Sequence, residues 1–310
     1  MENKHLRDVI IDEIYFASKT NKDILFLSVE YGAPSLDRYR EDFPDQFINT
    51  AISEQNTISV SAGLAKEGKR VYVYSIASFI YLRCLEQIKI DLCSMVNNVT
   101  IIAVGTGYAY SEDGPTHHAT EDISVIRALS NIIIFSPSNE DQIKNIFNYS
   151  LTSNNPMYIR LDRGGTKYNF SDNYNFDDGY VKYGEKGGIC IISSGGMVSN
   201  ALDVMNKLLE LNIDSCVIDV FRIKPISREF INELFKFNHV VVIEEHTLNG
   251  GLGSIVSEIV HDERIGLDLQ RIGIEDDRLY AYGERDKMHK DRMLDSKSVV
   301  ESIIKWRKNL

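Results

Sequence analysis

The sequence is poor in the features that mark several large protein classes. Its 310 residues hold four cysteines, Cys84, Cys93, Cys190 and Cys216. They show neither the CxxC spacing of a zinc or redox site nor the density of a disulfide scaffold, so they read as reduced core residues. There is no excess of positive charge: 34 Lys and Arg against 45 Asp and Glu give a net charge of −11, with no block of like sign. That balance speaks against a nucleic-acid footprint or a polybasic membrane surface. Long apolar runs are missing too. The longest are strand-sized, such as Val240 to Ile243, against the roughly 20 residues a membrane helix needs. The opening MENKHLRDVIIDE turns acidic at Asp12 and Glu13 and shows no small-residue cleavage site, unlike a secretion signal. The expectation is a cytoplasmic chain that does not enter a membrane.

What is present is the composition of a folded globular protein, 43% hydrophobic and 25% charged, long enough for two domains at about 150 residues each. Leu6, Val9, Ile10, Ile14 and Ala17 recur at helical spacing, and a short apolar run from Ile24 to Val29 follows at strand length. The alternation continues with strands over Arg70 to Ser75, Thr100 to Gly105, Ile132 to Phe135 and Met157 to Leu161. Between them the periodicity predicts helices over Phe79 to Ser94, Glu121 to Leu129 and Asn139 to Leu151, the last capped by Ser138. Strands apolar on both faces suit a parallel sheet covered by helices. From Gly164 to Gly188 the chain is rich in Gly, Asn, Asp and Tyr without a period, as a surface linker would be. Beyond it, strands over Ile189 to Ser193, Ser215 to Asp219, Val240 to Glu244 and Leu269 to Ile274 alternate with helices over Met197 to Leu211, Ser227 to Phe237, Leu252 to Val260 and, last, about Ser298 to Lys308. The fold class expected is α/β: two tandem open α/β domains with mostly parallel sheets, at 1–165 and 188–310, joined by a linker at 166–187.

Ligands of open parallel sheets bind at the carboxyl ends of the strands. Four segments fall there: Ile52 to Asn56, Ser78-Phe79, the loop Thr106 to Thr120, and Asp162 to Gly165. The loop is the densest in chemistry, with an acid pair, a Gly-Pro turn and a histidine pair in Glu112-Asp113-Gly114-Pro115-Thr116-His117-His118.

Three separated stretches resemble the transketolase family, in order and in register over nearly the whole chain. Ser111 to His117 resembles the substrate loop. Phe47 to Asn56, continuing through Ala62-Gly63-Leu64-Ala65, resembles the segment that holds the cofactor-activating glutamate in transketolases and deoxyxylulose-phosphate synthases. Glu244 to Ser254 is similar to the start of a helix in their C-terminal domain. Those enzymes have three domains, and this chain resembles the pyrimidine-binding and C-terminal ones. The metal-binding motif of the remaining domain, GDG followed some thirty residues later by Asn, is not found; Glu112-Asp113-Gly114 lacks its first glycine.

The resemblance therefore implies one subunit of a split transketolase, moving a two-carbon ketol unit from a ketose phosphate to an aldose with thiamine diphosphate. It implies a partner subunit that brings the diphosphate-binding domain and Mg2+ (or Ca2+ or Mn2+), and a heterotetramer of two chains of each kind. Glu54 matches the glutamate that hydrogen-bonds the cofactor's pyrimidine ring; read alone, it is a helix-start carboxylate. Phe79 falls near the aromatic that lies against that ring, or is a core side chain of its helix. His117 matches the histidine near the reacting carbons of the donor, and Asp113 the aspartate that reads a sugar hydroxyl. Arg163 matches the phosphate-binding arginine; read alone it is a surface ion pair. One departure stands out: where many transketolases carry a second phosphate-contacting histidine, twelve residues before the one matching His117, this chain has Gly105. Glu244, Glu245 and His246 invite a metal reading but lack ligand spacing, and Gly250, Gly251 and Gly253 open a helix whose N-terminus could hold an anion. Two alternatives stay open: a decarboxylating subunit like deoxyxylulose-phosphate synthase or a 2-oxo acid dehydrogenase, and a non-catalytic scaffold.

Overall fold

The structure is a computed structural model that describes residues 5–29, 32–163, 174–185, 187–276 and 282–308. Gly164 and Gly165, residue 186 and the linker positions 166–173 lie outside the described residues.

Strands β1 (Ile24–Ser28), β2 (Phe47–Asn49), β3 (Arg70–Ile76), β4 (Val99–Val104), β5 (Ile133–Phe135) and β6 (Met157–Leu161) run parallel in one sheet. Strands β7 (Tyr180–Tyr183), β8 (Ile189–Ser193), β9 (Ser215–Val220), β11 (His239–Thr247) and β12 (Asp268–Ile274) form the second, with only β7 antiparallel. A short strand β10 (Arg222–Lys224) belongs to the later half of the chain but adds to the first sheet, antiparallel to β5. The orders are β10-β5-β6-β4-β3-β1-β2 and β12-β11-β8-β9-β7. Two mostly parallel α/β sheets are thus present as the alternation of pattern requires.

Helices cover the sheets: α1 (Leu6–Ser18), α2 (Pro34–Asp42), α3 (Glu54–Lys66), α4 (Ala77–Arg83), α5 (Asp122–Arg127), α6 (Glu140–Ser150), α7 (Met197–Glu210), α8 (Arg228–Leu234), α9 (Leu252–Asp262), α10 (Arg285–Asp291) and α11 (Ser296–Arg307). Helix α1 starts without a side-chain cap, yet it buries Val9, Ile10, Ile11 and Ile14. Each such burial contributes about 1.5–3 kcal/mol, which outweighs the ~1 kcal/mol a cap supplies. One apolar cluster runs from Val71 and Ile134 of the first sheet through Ile223 to Cys190 and Val240 of the second, so the two sheets share a core.

Three expectations change. The helix expected over Phe79 to Ser94 breaks at Cys84, after α4, and resumes as a short turn and a π-helical turn at Ile88–Ser94. The apolar spacing Ile80, Cys84, Ile88, Leu92 hides the break, because all four are buried on one side. Helix α6 is capped by Asn139, whose side chain accepts from the Gln142 N–H; Ser138 instead donates to Asp219 of the second sheet at 2.5 Å. Finally, β7 lies in the stretch expected to be linker and pairs with β9, so the second sheet takes in residues 180–183.

Candidate functional site

The carboxyl ends of β2, β3, β4 and β6 bring the sequence-selected residues to one edge. Glu54 is the first residue of α3 and is 5% exposed. The turn before it is tied from both sides: the Thr57 N–H donates to the Ser53 carbonyl at 2.9 Å, the Thr57 hydroxyl lies 2.7 Å from that of Thr50, and Ala51 takes a left-handed φ of 53°. Its carboxylate sits where the N-terminal partial charge of α3 is favourable. Arg83, the last residue of α4, pairs with it at 2.8 Å. The same guanidinium lies 5.0 Å from the Phe79 ring centre, and the half-buried Phe79 ring meets His117 edge to face at 5.0 Å.

The loop after β4 consists of two 3₁₀ turns, Ser111–Asp113 and Pro115–His117, on either side of Gly114 at φ 84°. That hinge sends Asp113 to the exposed tip and leaves His117 half-buried. His117 Nδ1 is 3.0 Å from the Thr116 hydroxyl, and its ring is 6.4 Å from Tyr110. Arg163, just past β6, holds its guanidinium 5.3 Å from the Tyr110 ring. Glu54, Arg83, Phe79, His117, Tyr110 and Arg163 therefore form one chain of contacts; Asp113 joins it through the backbone, its N–H donating to the Tyr110 carbonyl at 3.1 Å. Arg83 and Tyr110 escaped the sequence reading. A basic residue four after Phe79, on the same helical face, was the signal for the first; an aromatic inside the glycine-rich loop was the signal for the second.

Gly105 has a structural reason. It adopts φ 86°, and a Cβ there would lie 1.9 Å from Cε2 of Tyr110. The Tyr110 ring thus fills the space that a side chain at position 105 would need. Gly105→Ala must both strain the backbone and displace a buried ring, at a cost of about 2–3 kcal/mol. A urea melt checks this, and on a Tyr110→Ala background the cost of Gly105→Ala is expected to fall by the part due to the clash.

Glu244, Glu245 and His246 point to three separate partners, which explains them without a metal. Glu244 accepts the Leu252 and Gly253 N–H groups at 2.7 and 2.9 Å, so the anion at the start of α9 is the protein's own side chain. A Cβ on Gly251 or Gly253 would sit 2.1 or 2.9 Å from that carboxylate, which accounts for those two glycines, while Gly250, at φ 85°, faces Ser124. Burial pushes Glu244 up to about 7, against the pull of those two donors. Glu245 pairs with Arg285 and His289, and His246 Nδ1 lies 2.7 Å from the Thr247 carbonyl. Among the described residues, no group of three His, Cys, Asp or Glu is placed to hold a metal.

An open parallel sheet with polar and aromatic side chains gathered at its strand ends defines an α/β protein with its polar cluster where ligands of such sheets bind. Residues 17–167 match the family model "Transketolase, pyrimidine binding domain", and residues 179–299 match "Transketolase, C-terminal domain". The chain is 32% identical, over 96% of itself and 97% of the relative, to a subunit of apulose-4-phosphate transketolase from Actinobacillus succinogenes. Identity to a "Putative transketolase C-terminal section" of Methanocaldococcus jannaschii is 32%, over 88% of this chain and 86% of that one. It spans about half of 1-deoxy-D-xylulose-5-phosphate synthase from Clostridium tetani, at 26% identity over 94% of this chain and 47% of that one. A solved "Split gene transketolase, inactive beta4 tetramer" superposes with a TM-score of 0.84 at 29% identity, covering 98% of both chains. This chain belongs to the transketolase family.

Proposed function

We propose that the chain is the pyrimidine-binding subunit of a split thiamine-diphosphate transketolase, moving a two-carbon ketol unit from a ketose phosphate to an aldose acceptor in the cytoplasm. The observation that carries the reading is the buried Glu54 carboxylate at the start of α3, on one edge with the Phe79 and His117 rings. A buried carboxyl beside a half-buried aromatic face suits a flat aminopyrimidine: the carboxyl hydrogen-bonds a ring nitrogen, and the aromatic holds the ring flat. Thiamine diphosphate, when bound, supplies the electron sink that lets a carbon–carbon bond next to a carbonyl break. Glu54 and Phe79 are the residues of this chain that would hold it.

Each remaining group has a task set by its chemistry. Arg83 balances the Glu54 charge at 2.8 Å. His117, held by Thr116 and flanked by two rings, takes up or gives a proton at a donor hydroxyl. Asp113, exposed at the loop tip, accepts a hydrogen bond from a sugar hydroxyl. Arg163 offers a fork for a terminal phosphate. With Gly105 where a second phosphate-contacting group would stand, Arg163 carries the anion alone among the residues of the motif.

In this reading a partner subunit supplies the diphosphate site and its Mg2+, Ca2+ or Mn2+. Two copies of each make the working heterotetramer. Two relatives are named as subunits of an apulose-4-phosphate transketolase rather than as whole enzymes, and a similar split-gene protein is described as an inactive β4 tetramer; both fit a chain that self-associates and needs a second gene product. Calorimetric titration of thiamine diphosphate with magnesium tests this, on the chain alone and with the candidate partner added. Binding is expected only in the mixture. Tight binding to the chain alone would overturn the split site, and no binding in either case would favour a scaffold.

A further inference from the structure

Arg285 opens α10, in the C-terminal half, and its guanidinium joins Asp162, past the end of β6 in the first domain, to Glu245 on β11 of its own. Nη1 and Nη2 each donate at 2.7 Å to the two oxygens of Asp162, 123 residues away. Nε and Nη2 donate to the two oxygens of Glu245 at 2.9 and 2.6 Å. Both carboxylates are buried, at 5% side-chain exposure. Burial alone would favour a neutral Glu245, but Arg285 and His289 hold its pKa well below the ordinary carboxylate range.

Each of those carboxylates touches the candidate site. Asp162 is the residue before Arg163 and presses on Gly196, where a Cβ would lie 1.8 Å from its Oδ2. Glu245 lies under the loop after β4: a Cβ on Gly107 would sit 2.0 Å from its Oε2. The loop is fastened from the same side at two more places. The Gly283 N–H donates to the Ser111 carbonyl at 3.1 Å, and the Thr247 N–H to the Thr120 carbonyl at 2.7 Å. Remove the guanidinium and the two buried carboxylates lose the charge they share, Glu245 keeping its pair with His289, with Glu245 under the loop and Asp162 at the base of Arg163.

We propose that Arg285 is the positioning residue through which the C-terminal domain sets the place of the loop 105–119 and of Arg163, without touching substrate itself. The functional meaning rests on reading that loop as the substrate loop; the mechanical claim does not. It gives the C-terminal domain a task in the site, since Arg285, Glu245, Thr247 and Gly283 all lie there.

Amide hydrogen exchange by mass spectrometry on the full chain, without cofactor or partner, tests the claim. Arg285→Gln is expected to speed exchange about 10²-fold in peptides covering 105–119 and 160–163, leaving β8 and β9 unchanged. Arg285→Lys, which keeps a charge but not the fork, is expected to restore part of the protection, and it carries the test if the glutamine variant fails to fold. Unchanged exchange at 105–119 would overturn the proposal. So would loss spread evenly over the chain, or a lysine variant as fast as glutamine. No turnover is read, so this outcome is independent of whether Glu54 proves catalytic.

Discussion

On the proposed function, Glu54→Gln will lower the rate of ketol transfer by the reconstituted enzyme at least about 10²-fold, the lower end of what a positioned acid–base group contributes. The glutamine keeps the shape of the side chain and its hydrogen-bonding capacity but cannot exchange a proton at neutral pH. Folding should be little affected, because the ion pair lost is with Arg83, whose side chain is 45% exposed, and such a pair contributes at most ~1 kcal/mol. The measurement is a coupled assay of product aldose with the partner present, beside a thermal melt of the variant. A rate within threefold of wild type would remove Glu54 from the reaction. Low activity with an unshifted melt would place the defect in chemistry rather than folding.

Arg160→Met will destabilise the chain by about 3–5 kcal/mol, the cost of stranding a buried charge. Arg160 Nε reaches both oxygens of Asp122, at 3.0 and 2.8 Å, in a pair whose side chains are 8% and 0% exposed. Tyr158 donates to the same carboxylate at 3.2 Å. His246 lies 3.9 Å away, but its pKa is pushed down to about 4, burial outweighing the pull of Asp122. It is therefore neutral at pH 7 beside the intact arginine, whose own charge is one of the causes that push it down. Adding Asp122→Asn should recover much of the loss, since the stranded charge goes while an acceptor for Tyr158 stays. Urea unfolding of the three proteins decides the matter. A single-variant loss below ~1 kcal/mol would mean that water or a neighbour compensates Asp122. The pair joins the exit of the loop to β6, so the same variant should loosen the site from behind.

The sequence made the long elements legible for a physical reason. Strands such as β3 and β4 are buried on both faces, so they appear as runs dominated by Val, Ile and Tyr, without the polar face of an amphipathic helix. The short edge strands β2, β7 and β10 left no such trace. Three or four residues long, each exists because a partner strand lies beside it, and pairing between distant segments is not written in local periodicity. Helix α2 was missed for the opposite reason: PSLDRYRED buries only Leu36 and Tyr39, too few for a visible stripe. At the site, the motif-bearing residues stand out in the sequence because their spacing is local. Arg83, Tyr110 and Arg285 were not. Their importance comes from contacts made by the fold, in one case across 123 residues.

Strand β10 carries one more implication. It closes the β5 edge with residues from the second half, and Lys224 extends from it to the backbone carbonyls of Arg127 and Leu129. A fragment ending before it would carry a bare strand edge, an invitation to pair with whatever chain comes next. The seam between the two sheets is thus no place for a hybrid enzyme to be spliced. Anyone grafting this subunit's specificity onto a relative must transplant the entire unit, and natural recombination faces the same constraint.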